Sequence, residues 1–91
     1  MTHTVREKQK LINRVRRIRG QMDALERMLE EEKGHTEVMQ LIAGIRGAMN
    51  GFMNEVLEDH IRMHLAADGL TQPDRDEGAA ELIDVIRAYL K

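Results

Sequence analysis

Residues 11–29 read LINRVRRIRGQMDALERML, and their apolar positions Leu11, Val15, Ile18, Met22, Leu25 and Leu29 recur at alternating spacings of four and three. That is a heptad seam held for nearly three heptads, the mark of a helix packed lengthwise on another helix. It predicts a first helix from about Thr4 to Lys33, with Gly34 in the left-handed C′ conformation just beyond. Gly20 interrupts the seam at a cost of about 1 kcal/mol relative to Ala. It is either tolerated or marks close contact between helices.

Downstream, Thr36 is a good N-cap for a second helix. The apolar set Val38, Leu41, Ile42, Ile45, Met49, Phe52, Met53, Val56, Leu57, Ile61 and Leu65 follows it. This stripe is too broad for one partner, so it predicts burial by the first helix on one side and by another chain on the other. Ala43, Gly44, Gly47, Ala48 and Gly51 lie in its middle. Three interior glycines together cost on the order of 3 kcal/mol, which is reasonable if they let another backbone come near. Asp68-Gly69 and the Thr71–Gly78 stretch with Pro73 read as a linker. Ala79, Leu82, Ile83, Ile86, Tyr89 and Leu90 then form a short amphipathic third helix.

The expected fold is all-α: a three-helix protomer with two long helices and a short C-terminal one, forming a single domain over residues 1–91. Phe52 and Tyr89 are the only aromatic residues, and Leu, Ile, Val, Ala and seven Met make up the apolar set. Such a chain cannot cover its own apolar faces, and a small core is commonly completed by oligomerisation. A dimer on an antiparallel four-helix core is the simplest closure.

The net charge of −2 conceals an asymmetry. Residues 1–20 hold Arg6, Lys8, Lys10, Arg14, Arg16, Arg17 and Arg19 against Glu7 alone, a net of +6, and the rest of the chain carries −8. Segregation of this kind points to a polyanionic partner for the basic part. On a helical wheel Arg6, Lys10, Arg14 and Arg17 fall within one quadrant, with Arg16 and Arg19 on the other flank. That stripe suits the spaced phosphates of duplex nucleic acid, and the lack of aromatics argues against single-strand stacking. The bland alternative is a solvated helix face. No helix-turn-helix or zinc-finger pattern is present.

There is no cysteine, hence no disulfide, no thiolate cage and no thiol nucleophile. No apolar run approaches the roughly 20 residues needed to span a bilayer, and no signal-peptide core opens the chain. A cytoplasmic location is the expectation. An enzyme reading finds little support: Glu58, Asp59 and His60 lack an accompanying nucleophile, cleft or phosphate loop.

The remaining chemistry lies in four histidines, His3, His35, His60 and His64. His60 and His64 are one helical turn apart, a spacing that puts two side chains on one face about 6 Å apart at Cβ. Spacing alone leaves two readings open, a hydrogen-bonded structural pair or two metal ligands. His3 tips the balance, because removal of Met1 would set an α-amine, a peptide nitrogen and an imidazole within chelating reach. In an antiparallel dimer, His35 in the turn can approach His60 and His64 of the other copy. Four such nitrogens favour nickel or cobalt over magnesium, calcium or copper(I).

The stretches Arg14-Val-Arg-Arg-Ile-Arg-Gly-Gln21, Ile45-Arg-Gly-Ala-Met-Asn-Gly51, Glu55-Val-Leu-Glu-Asp-His60 and Ile86-Arg-Ala-Tyr-Leu-Lys91 resemble the CsoR/RcnR family of transcriptional repressors. The resemblance covers essentially the whole chain. It implies a homotetramer made as a dimer of dimers, binding to operator DNA without a helix-turn-helix, and release of that DNA when the effector binds. His3, His60 and His64 match the pattern of the nickel/cobalt branch. His35 falls where that branch, the copper sensors and the formaldehyde sensors carry cysteine. The departure removes the thiol on which a formaldehyde response would rest and the soft donor for copper(I). Ni2+ or Co2+ is the expected effector, with Zn2+ the rival. By the same resemblance Arg14, Arg17 and Arg46 are DNA-contact or DNA-coupling positions, with Lys10 and Arg16 as further contacts.

Overall fold

In a computed structural model describing residues 4–90, the chain forms three helices: α1 (Val5–Glu30), α2 (His35–His64) and α3 (Gln72–Tyr89). None is long and apolar enough to cross a membrane. Two compact units divide the chain, 1–53 and 54–91, and α2 contributes to both.

The first unit holds α1 and the start of α2. Thr4 caps α1, its hydroxyl accepting the Glu7 N–H at 3.1 Å. At the other end the Lys33 N–H bonds the Met28 carbonyl at 3.0 Å and the Glu32 N–H bonds the Leu29 carbonyl at 3.2 Å. These two bonds make a Schellman closure. Its left-handed residue is Glu32, at φ 56°, rather than the glycine expected at position 34. The helix therefore stops three residues short of Lys33. Gly34 becomes the N-cap of α2, its carbonyl accepting from Val38 at 3.2 Å, so His35 and Thr36 both lie in the first turn.

The seam of α1 divides in two. Leu11, Ile18 and Leu25 are half-buried and are joined by Arg14, Gln21 and Met28, whereas Val15, Met22 and Leu29 stay exposed. On α2, Val38, Leu41, Ala48 and Phe52 are half-buried around Ile45, while Met39, Ile42, Met49 and Met53 are exposed. The column facing the hairpin partner is thus covered, and a second apolar column on each helix is not. Ile45 is the single buried hydrophobic side chain among the described residues. Arg14 of α1 reaches Gly51 of α2, where an added Cβ would stand 3.2 Å from the guanidinium. Gly20, Gly44 and Gly47 have nothing within 4 Å of such a Cβ, and at Gly51 the neighbour is the tip of a side chain, so the close backbone approach expected at the interior glycines does not occur within the chain.

The second unit holds the end of α2, a short loop and α3. Here the sequence reading needs correction: residues 72–78 are the first two turns of α3, not linker. Thr71 and Asp74 form a capping box, the Asp74 N–H donating to the Thr71 hydroxyl at 3.2 Å and the Thr71 N–H to the Asp74 carboxylate at 3.0 Å. Pro73 sits in the first turn, where its missing N–H has no ladder bond to lose. Arg75 fastens α3 to the preceding chain by donating to the Leu65 carbonyl and, at 3.2 Å, to the Ala67 carbonyl. Cationic donors at a helix C-terminus also complement its dipole. Gly69 makes the turn at φ 82°.

Candidate functional site

Within the second unit, His60 and His64 are brought together as their spacing predicts. Both are half-buried, with ring centroids 4.7 Å apart and planes tilted by 32°. The Nε2 of His60 lies 2.9 Å from the Gly78 carbonyl of α3. A carbonyl only accepts, so Nε2 is the donor in this contact and a neutral ring keeps its lone pair on Nδ1. The Glu81 carboxylate stands 3.8 Å from the same nitrogen. Glu58 and Asp59, the acidic neighbours of His60, both engage Arg62 at 3.4 Å.

The other two histidines are placed differently. His35 is the first residue of α2, exposed and at the opposite end of that helix from the pair. His3 lies outside the described residues. Among the described residues no group of three or more His, Asp or Glu side chains could hold a metal ion. What the described residues bring together is the one pair of imidazoles, His60 and His64.

In the first unit, Lys10, Arg14 and Arg17 line a depression of about 260 Å³ on α1, together with Asn13. The sequence reading missed Asn13. Its carboxamide oxygen accepts from the Gln9 amide at 2.9 Å, which turns its NH2 away as a donor. The available signal was Gln9 and Asn13 at i,i+4 within the basic quadrant. Arg14 is half-buried with its guanidinium near Gly51. Arg16 and Arg46 are exposed and do not line the depression. Three cationic side chains around one shallow concavity can take a phosphate group.

Comparison with known proteins gives these features a setting. The family described as metal-sensitive transcriptional repressor matches residues 7–88. A protein from Serratia marcescens, described as an uncharacterized protein in the bioA 5′ region, is 50% identical over all 91 residues of both chains. The transcriptional repressor RcnR of Salmonella arizonae is 42% identical, again over the whole of both chains. Among solved structures, a glutamate-to-histidine variant of the formaldehyde-responsive regulator FrmR from Salmonella enterica serovar Typhimurium superimposes with a TM-score of 0.88 at 42% identity. That match covers 97% of this chain and 99% of the other. With a helical fold of that kind, a pair of facing imidazoles and a basic face on α1, the chain belongs to the metal-sensitive transcriptional repressors of the CsoR/RcnR family, which are not enzymes.

Proposed function

We propose that this protein is a nickel- or cobalt-responsive repressor that holds operator DNA when metal-free, releases it on metal binding and thereby controls metal efflux. The observation that carries the reading is the His60–His64 pair, with His60 held through Nε2 and its Nδ1 left for a ligand. This is the arrangement found where histidine binds metal, the second ring nitrogen being fixed by an outer partner. The donor chemistry fits: imidazole suits nickel, cobalt and zinc, and the chain has no thiolate to draw copper(I). With only two donors in the pair, His35 and His3 of a second copy would complete the site. Bound there, the ion would supply charge and a fixed coordination geometry tying two protomers together. The structural relative is named for its response to formaldehyde; such a response resting on a thiol is not open to a chain without cysteine.

The DNA surface is Lys10, Arg14 and Arg17 around the depression, with Arg16 and Arg46 as flanking contacts. α1 carries Lys10, Arg14, Arg16 and Arg17, and Arg46 lies on α2; α1 follows closely on the segment that bears His3. Fixing that segment changes how the basic stripes of an assembled dimer of dimers are spaced. An effector shifts such an equilibrium only by its difference in affinity for the two states, and the coupling is reciprocal.

The experiment is calorimetric titration of the parent with nickel, cobalt and zinc, with and without saturating duplex DNA from its own promoter region. The variant with all four histidines changed to alanine is the comparison. The parent should bind nickel or cobalt in preference to zinc, and DNA should weaken that binding by roughly 5–150-fold, the usual range of a 1–3 kcal/mol coupling. Equal metal affinities with and without DNA would make the metal structural. Equal binding by parent and variant would remove the histidines from the site.

A further inference from the structure

We infer that Gly78 is a positioning residue for the histidine pair: its carbonyl holds the His60 ring as the Nε2–H tautomer, and its lack of a side chain lets α3 lie directly against the backbone of His64. The metal reading above enters only in what Nδ1 then binds.

A glycine at this place needs a reason. It sits inside α3, where it costs about 1 kcal/mol relative to Ala, and its backbone is not in the left-handed region. Close approach supplies the reason. A Cβ on Gly78 would stand 2.5 Å from the His64 carbonyl oxygen, 2.9 Å from the His64 Cβ and 3.1 Å from its carbonyl carbon. No real side chain fits there, and Gly78 is buried. The first atom of any side chain would push α3 off the end of α2 at one of the two paired histidines.

The same residue serves the other histidine. A backbone carbonyl has two lone pairs, so Gly78 can stay in its helix and still accept from the His60 Nε2–H at 2.9 Å. Glu81, three residues on, places a carboxylate on the same side at 3.8 Å, which also favours a proton on Nε2. Arg75, three residues earlier, anchors α3 to the Leu65 and Ala67 carbonyls just past His64. α3 thereby meets His60 at its Nε2 and His64 at its backbone and Cβ before any ion arrives. A metal site whose ligand is already in the right tautomer loses less on ordering, and removing such an outer partner lowers metal affinity about 10- to 100-fold.

Long-range 1H–15N correlation spectra of the full-length, metal-free protein read ring tautomers directly. Above the pH range of imidazole titration, His60 of the parent should show the Nε2–H form. Gly78→Ala should turn it into a tautomer mixture and weaken nickel binding about 10- to 100-fold, with helix content by circular dichroism retained. If Gly78→Ala does not fold, the parent spectrum still decides, because an Nδ1–H or averaged His60 there overturns the assignment. A single Nε2–H form in Gly78→Ala as well would overturn it too. A parent that shows the Nε2–H form but binds no nickel overturns the metal reading and leaves Gly78 as the residue that sets the tautomer.

Discussion

Arg14 has two neighbourhoods. Its guanidinium lies near Gly51 of α2, and it also lines the depression shared with Lys10, Asn13 and Arg17. Arg17→Ala should therefore remove a phosphate partner cleanly, flattening the slope of log affinity against log salt by about one unit for each phosphate no longer neutralised. Arg14→Ala should do the same and in addition loosen the hairpin. Fluorescence anisotropy of labelled duplex DNA across a salt series measures both, and an unchanged slope in Arg17→Ala would take the stripe off the DNA face. Metal affinity should hold in both variants. His60→Ala and His64→Ala should act the other way, losing nickel by orders of magnitude while DNA binding persists. Of these residues, His60 and His64 were legible from their spacing because a helix fixes what lies four residues on. The partners of His60 were not legible: Gly78 and Glu81 belong to another helix, and no periodicity connects them to position 60.

At the scale of the element, the ends of helices were harder to read than their middles. Gly34 looked like the left-handed stop of α1, yet Glu32 holds that conformation at φ 56°. A non-glycine residue there costs about 1–2 kcal/mol. Glu32→Gly should stabilise the protein by about 1 kcal/mol, seen as a higher denaturation midpoint with an unchanged slope. Pro73 and Gly78 were read as breakers because each usually is one. In α3 the proline occupies the first turn and the glycine answers to packing, so the capping signal at Thr71 and Asp74 outweighs both. The carboxyl of Asp74 is held below its ordinary value, chiefly by the Thr71 backbone N–H, then by the Thr71 hydroxyl and the Arg75 charge, which outweigh desolvation. A folded-state value below the unfolded one gives stability that is complete above the ordinary carboxylate range and is lost as pH falls through the folded value. Asp74→Asn should therefore lower stability near neutrality and narrow the gap to the parent at strongly acidic pH. Thermal melts across that range test it, and a gap that stays constant with pH would remove the carboxylate from the cap. Thr71→Ala, which removes the other half of the box, should cost about 1 kcal/mol at neutral pH.

For the whole molecule, the apolar columns left uncovered are the dominant fact. The periodicity showed that α1 and α2 carry wide apolar faces but not which column the hairpin would take, since both columns obey the same spacing. Val15, Met22 and Leu29 on α1, and Met39, Ile42, Met49 and Met53 on α2, remain outward. A surface of that kind calls for another chain, and a second copy is the occupant that the antiparallel four-helix reading supplies. Met49→Glu should yield a species that sediments as a monomer and melts at lower temperature. The parent should melt at higher temperature as its concentration rises. A parent that stays monomeric at micromolar concentration, with a melting point indifferent to dilution, would contradict closure by self-association. That Ile45 is the one buried hydrophobic side chain among the described residues also has a meaning for the cell that bears the gene. If folding is completed only by association, each round of growth without synthesis dilutes the pool toward a threshold. Below it the chain opens and becomes a substrate for proteases. Promoter occupancy would then collapse through dosage alone, with no change in the metal supply.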